Sequence, residues 1–247
     1  MRRFVYIIGL VLFACNNESA NDCFQTRGDS VQKEFEVSSF NKILVNEGVE
    51  MTLTEGDEYK VVVKTGKNLL DDVKVEVVDG QLILSDNNSC NYFRSYDPTK
   101  ILVTSPDITE IRSSTQFDIK SEGVLTYPDL VIYSENYREE YQTVGDFYLQ
   151  INNQSFRLVF NNLSNCYISG TTNLLSINFA SGNGRFEGED LICNNVSIYH
   201  RGSNDIIVHA VSTLAGNLYG TGNLISVNHP DEVNVTEYYK GKLIFRD

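Results

Sequence analysis

The chain has 247 residues, 41% of them hydrophobic, no tryptophan, and a formal net charge of −13 at pH 7. That length suits one large β domain or two small ones, and the negative charge argues against nucleic acid, whose phosphates must be neutralised by Lys and Arg. It also disfavours peripheral binding to anionic lipid, and because the acids are spread along the chain they read as a solvated surface.

At the N-terminus, Arg2 and Arg3 precede an apolar run from Phe4 to Ala14. This is the pattern of a secretory signal peptide, too short for a spanning helix of about 20 residues. Leu12-Phe13-Ala14-Cys15 looks like a bacterial lipobox, so residues 1–14 are expected to be cleaved and Cys15 to carry the lipid. Loss of Arg2 and Arg3 takes the formal charge to −15. Two or three acyl chains anchor stably where one does not. Residues 15–32 are polar and without periodicity, as expected of a flexible tether.

From Phe35 the pattern changes. Ile43/Val45, Val49/Met51/Leu53, Tyr59/Val61/Val63 and Val73/Val75/Val77 alternate with polar residues at a period of two, the signature of half-buried strands. Asp79-Gly80 between alternating runs is a hairpin signal. No long helical periodicity occurs, and "NLLDDV" makes at most one helical turn.

From about residue 110 an Asn, Asp or Gln recurs before each short apolar strand: Gln116, Asp146, Asn165, Asn183, Asn204 and Asn223. The last five are spaced 19, 18, 21 and 19 residues apart. A period near 20 with tight polar turns predicts a β-solenoid, in which each coil covers the inner face of its neighbour. A β-sandwich with regular turns is the alternative. "YSENYREEYQTVGD" enlarges one coil into a protruding loop. There Tyr133, Tyr137 and Tyr141 recur every fourth residue beside Arg138, and a shared face would suit protein partners or sugars; packing against the solenoid is the other reading.

Cys23, Cys90, Cys166 and Cys193 remain besides Cys15, an even number in an exported chain, and three disulfide connectivities are open. None has zinc-ligand spacing, and His200, His209 and His229 stand apart from one another. No metal site is expected.

The run "FEVSSFNKILVNEGVEMTLTEGDEYKVVVKTGKNLLDDVKVEVVDGQLILSD", then "ILVTSPDITEI", then "GNLYGTGNLISVNHPDEVNVTEYYKGKLIF" resembles the head GIN domain family of Gram-negative secreted or lipid-anchored proteins, described as "putative auto-transporter adhesin". The resemblance covers about residues 33–247. It implies a right-handed parallel β-helix and an extracytoplasmic location, and it carries no reaction, ligand or cofactor.

Catalytic signatures are sparse: no GxSxG, HExxH, P-loop or dinucleotide fingerprint is present. Glu187, Glu189 and Asp190 in "FEGEDL" are the acids to weigh for glycan chemistry or calcium. The resulting expectation is an all-β chain, a right-handed parallel β-helix (β-solenoid) with antiparallel hairpin elements in its N-terminal part. Its organisation is a signal peptide (1–14), a tether (15–32) and a GIN-type domain (33–247). It is expected to work without cofactor, metal or catalytic residues, as an outer-membrane lipoprotein that binds a glycan or protein and meets the membrane through its anchor only. An envelope scaffold and a glycan-processing enzyme are the alternatives.

Overall fold

The computed structural model describes residues 26–88, 97–135 and 143–246. The expected signal peptide and Cys15 lie outside these residues, as do Tyr137, Arg138, Tyr141, Cys23 and Cys90.

Short alternating strands open the chain: β1 (Ser30–Phe35), β2 (Lys42–Val45), β3 (Val49–Glu55) and β4 (Lys60–Gly66), then a 3-10 turn (Lys67–Asp72). β5 (Val73–Val78), β6 (Gln81–Asp86), β7 (Thr99–Ser105), β8 (Glu110–Ser113), β9 (Ile119–Ser121) and β10 (Asp129–Ser134) follow. Four long strands come next: β11 (Phe147–Phe160), β12 (Asn165–Phe179), β13 (Arg185–His200) and β14 (Ile206–Leu218). β15 (Leu224–Ser226), β16 (Glu232–Glu237) and β17 (Leu243–Phe245) close the chain.

The expected right-handed parallel β-helix is not the fold. The 17 strands of the described residues form one mixed sheet. β1 and β4, β4 and β7, and β5 and β6 are antiparallel, while the remaining pairs are parallel. β5 returns through Asp79 (φ 50°) and Gly80 (φ 75°), two positive-φ residues in a tight hairpin turn. β7 inserts between β3 and β4, parallel to one and antiparallel to the other. A 20-residue period states which strands lie side by side; it is silent about these reversals.

Two ladders meet in the long strands. One runs β5–β6–β2–β8–β10 and continues through the C-terminal halves of β11–β14 to β16. The other runs β1–β4–β7–β3–β9 and continues through their N-terminal halves to β15 and β17. Because β11–β14 belong to both, the sheet folds over a shared core in a nearly closed, barrel-like wrap. Ile43, Met51, Leu53, Val61, Val63, Ile101, Phe147, Phe156, Phe186 and Leu224 are fully buried within it.

The recurrent polar residues mark the corners. Asp146 Oδ1 accepts from the backbone N of Asn165 at 2.9 Å and from its Nδ2 at 3.0 Å. Asp205 Oδ1 receives Asn223 N and Nδ2 at 3.0 and 3.1 Å, and Asn223 Oδ1 accepts from Lys242 N at 3.1 Å. These corners thus supply acceptors to the N–H groups of their neighbours, the groups a sharp bend would otherwise leave bare. Inside, Phe160 stacks on Phe179 and packs tilted against Phe147, each at a centroid spacing of 5.5 Å, and the buried His200 ends the column edge-on to Phe179 at 5.7 Å.

Cys166 and Cys193 are buried free thiols, so these two form no disulfide. Burial raises both thiols, Cys193 to about 12. They are packing groups.

Candidate functional site

The long strands alternate inward and outward residues, so Phe147, Leu149 and Ile151 of β11 face the core while Tyr148 and Gln150 face out. In register beside them on β12, Tyr148 meets Tyr167 and Gln150 meets Ser169. The row continues from Lys120 on β9 to Glu187 on β13. Beyond Glu187 the register breaks: Gly188 pairs with Val208 and Ile192 with His209, leaving residues 189–191 as extra residues on β13. Such a bulge turns side chains out of the regular pleat. Glu189 and Asp190 are both exposed there.

These residues line a surface groove of about 650 Å³ with Ser121, Tyr148, Gln150, Tyr167, Ser169, Glu187, Glu189 and Asp190 at its wall. The rings of Tyr148 and Tyr167 are stacked, 5.0 Å apart and 9° from parallel. Lys120 Nζ stands 5.7 Å from the centroid of Tyr148. Stacking occupies one face of each ring, Lys120 stands by Tyr148 alone, and both tyrosines line the groove. Desolvation, with Asp118 and Asp146, raises the Tyr148 phenol.

The acids are largely committed. Arg185 holds Glu187 through Nε and reaches Asp205 at 3.6 Å and Asn204 Oδ1 at 3.2 Å. Its hydrogen bond to Glu187 leads the causes that raise the guanidinium further. Arg246, beyond β17, pairs with Glu189. Of the three, Asp190 has no ion pair among the described residues. Among the described residues no group of three His, Cys, Asp or Glu side chains gathers to hold a metal ion.

Tyr133, the described member of the predicted tyrosine stripe, lies elsewhere. It sits half-buried on β10 in the other ladder, with the Arg112 guanidinium over its ring at 4.2 Å and Arg112 paired to Glu135 at 3.1 Å. The groove tyrosines escaped sequence reasoning although a signal existed. Tyr148 and Tyr167 are 19 residues apart, the spacing of Asp146 and Asn165.

The family comparison decides the family. The model described as "Putative auto-transporter adhesin, head GIN domain" matches residues 39–230. The chain belongs to the head GIN domain family. A comparison with curated proteins returned no match. Among solved structures, a "putative adhesin" from Bacteroides fragilis is similar at TM-score 0.78 and 20% identity, covering 89% of this chain and 99% of that one. A "putative lipid binding protein" from Parabacteroides distasonis (TM-score 0.62, 16% identity, 88% and 97% covered) shares the fold. So does a "putative adhesin" from Parabacteroides merdae (TM-score 0.60, 14% identity, 89% and 97% covered). For this head GIN domain chain these three likenesses establish architecture. β16 and β17 lie beyond the residues matched to the family.

Proposed function

We propose that this head GIN domain chain is a cell-envelope lipoprotein whose β domain is a non-enzymatic, adhesin-like binding module for a glycan or protein. The groove over Tyr148 and Tyr167 is its contact surface. The observation that carries the reading is the wall of that groove: two stacked tyrosines beside Gln150, Ser121, Ser169 and the exposed Asp190. Such a wall offers many hydrogen-bonding groups on rigid strands, which suits recognition of a hydroxyl-rich or polar surface. General acid–base chemistry needs groups free to exchange a proton, and Glu187 and Glu189 are each held by an arginine.

Binding of the purified chain to a panel of glycans and extracellular matrix proteins tests this. A Tyr148→Ala/Tyr167→Ala double variant is expected to keep its fold, since the rings are 41% and 37% exposed, and to weaken binding about tenfold or more, the scale of 1.4 kcal/mol. Loss of binding in Tyr137→Ala/Tyr141→Ala instead would move the site to the inserted loop. No binding by any form would favour the envelope scaffold, approached by cross-linking in the native membrane. The anchor has its own test: mass spectrometry of the membrane-extracted protein should find an acylated N-terminal Cys15, and a soluble product starting elsewhere would refute it.

A further inference from the structure

The C-terminal rungs leave a sheet edge open. Among the described residues β16 pairs as a strand with β14 alone, as β17 does with β15. Tyr238, directly after β16, gives its N–H to Leu218 O at 2.8 Å. Alternation along the strand turns the N–H groups of Thr236 and Asn234 the same way and those of Val233, Val235 and Glu237 toward the open side. Every β16 side chain is exposed except Val235, which is half-buried against the core. Glu232, Asn234, Thr236 and Tyr238 therefore share the outer face.

That face ends in an aromatic stack. Tyr199 and Tyr219 have ring centroids 5.2 Å apart, and Tyr219 and Tyr238 lie at 4.6 Å with planes 11° apart. These steps match the strand spacing of about 4.8 Å, because each ring rides on its own rung. Tyr238 is the last described ring of the stack and is 59% exposed. One further strand at the β16 edge would carry its own side chain one step on, over the free side of that ring. The flat side chain best suited to stack there is a guanidinium.

Charge selects among strands. Asp231 and Glu232 are exposed and carry no ion pair among the described residues, whereas Glu237 is held by Lys242 at 2.7 Å. A second copy would bring the same acidic edge on another chain of net charge −13, and like charges repel. We propose that the β16 edge docks an extended, arginine-bearing peptide segment of a partner protein. The segment adds as a strand through the open N–H and C=O groups, stacks a guanidinium on Tyr238 and sets a second basic side chain beside Glu232. This is strand addition with specificity from alternate side chains, and it stands apart from the groove over Tyr148.

Fluorescence anisotropy with the full chain tests the proposal, using a labelled peptide of alternating arginine and valine. Two control peptides accompany it: one with glutamate in place of arginine, and one with proline in place of each valine, which keeps the charge but cannot pair as a strand. Only the first peptide is expected to bind. Val233→Pro removes an outward N–H without touching the β14 ladder, and Tyr238→Ala removes the stacking ring. Each is expected to weaken binding about tenfold, with an unchanged Tm reporting an intact fold. Failure of the first peptide to bind would overturn the proposal, as would equal binding of the proline peptide, or full affinity in Tyr238→Ala. A dimer on size exclusion that Val233→Pro converts to monomer would overturn it too, by assigning the edge to a second copy.

Discussion

His200 shows what a single residue contributes inside this sheet. Its ring is fully buried, with Nε2 2.9 Å from Asn204 O and Nδ1 accepting the N–H of Gly202 at 3.3 Å. That pattern places the proton on Nε2, and a second proton on Nδ1 would face the Gly202 N–H. Desolvation is the largest cause that lowers its pKa below the ordinary 6.5, against the opposing pull of Asn204 O and Asp205. The unfolded chain then binds the proton more readily. Stability from this residue is complete above about pH 6.5 and is lost as pH falls from there through the folded-state value. Thermal unfolding followed at pH 7.5 and pH 5 should show the loss. His200→Phe should flatten that part of the profile while costing about 1–3 kcal/mol, because Asn204 O and the Gly202 N–H lose a partner in a buried corner. The sequence marks His200 as standing apart from ligands, but its burial at the end of a phenylalanine column depends on residues 21 and 40 positions away.

Among the elements, the long strands change ladder through irregular segments, and Gly170 shows why. It has φ 113°, and a Cβ there would stand 2.0 Å from Ile151 O of the neighbouring strand. The bend needs both the left-handed backbone and the close approach of β11 and β12. Gly170→Ala is expected to cost about 2–4 kcal/mol through strain and forced separation of the strands, read as a lower midpoint in chemical denaturation with the groove tyrosines displaced. The corners were more legible in the sequence than the bends. Asn165 bonds Asp146, Asn204 bonds Asn183 O and Asn223 accepts from Lys242, so the periodic polar residue recorded several of the contacts between neighbouring corners. The three extra residues at the β13 bulge shift the inward phase from Phe186 and Gly188 to Leu191 and Cys193, and a single change of phase inside one strand is a far weaker signal than a repeat.

For the molecule as a whole, the C-terminal strands complete the cover of the core. Leu214, Leu218 and Leu224 near the C-terminal end are fully buried, and the partly buried Val235 and Leu243 pack against the core from β16 and β17. These two strands lie past the family match, yet they cover the core's last layer. A chain truncated after Pro230 should therefore lose several kcal/mol, at about 25 cal/mol per Å² of apolar surface left uncovered, and should aggregate on size exclusion. A truncated chain with the parental Tm would show that β16 and β17 are appended to a complete fold.

Period-two alternation, the Asp79-Gly80 turn and the near-20-residue recurrence determined that the chain is all-β, where one hairpin lies and which long strands are neighbours. These features are local or strictly repetitive, so they survive in a one-dimensional record. Tertiary structure alone decided the direction of β4, the insertion of β7 between β3 and β4, and the merging of two ladders into a mixed, barrel-like sheet in place of a parallel helix. It also decided that Tyr148 and Tyr167 share a groove while Glu187 and Glu189 are taken up by Arg185 and Arg246. The reason is physical: strand direction and side-chain pairing across a sheet depend on which distant edge is free when two segments meet, and hydrophobic alternation reads the same in either direction along a strand.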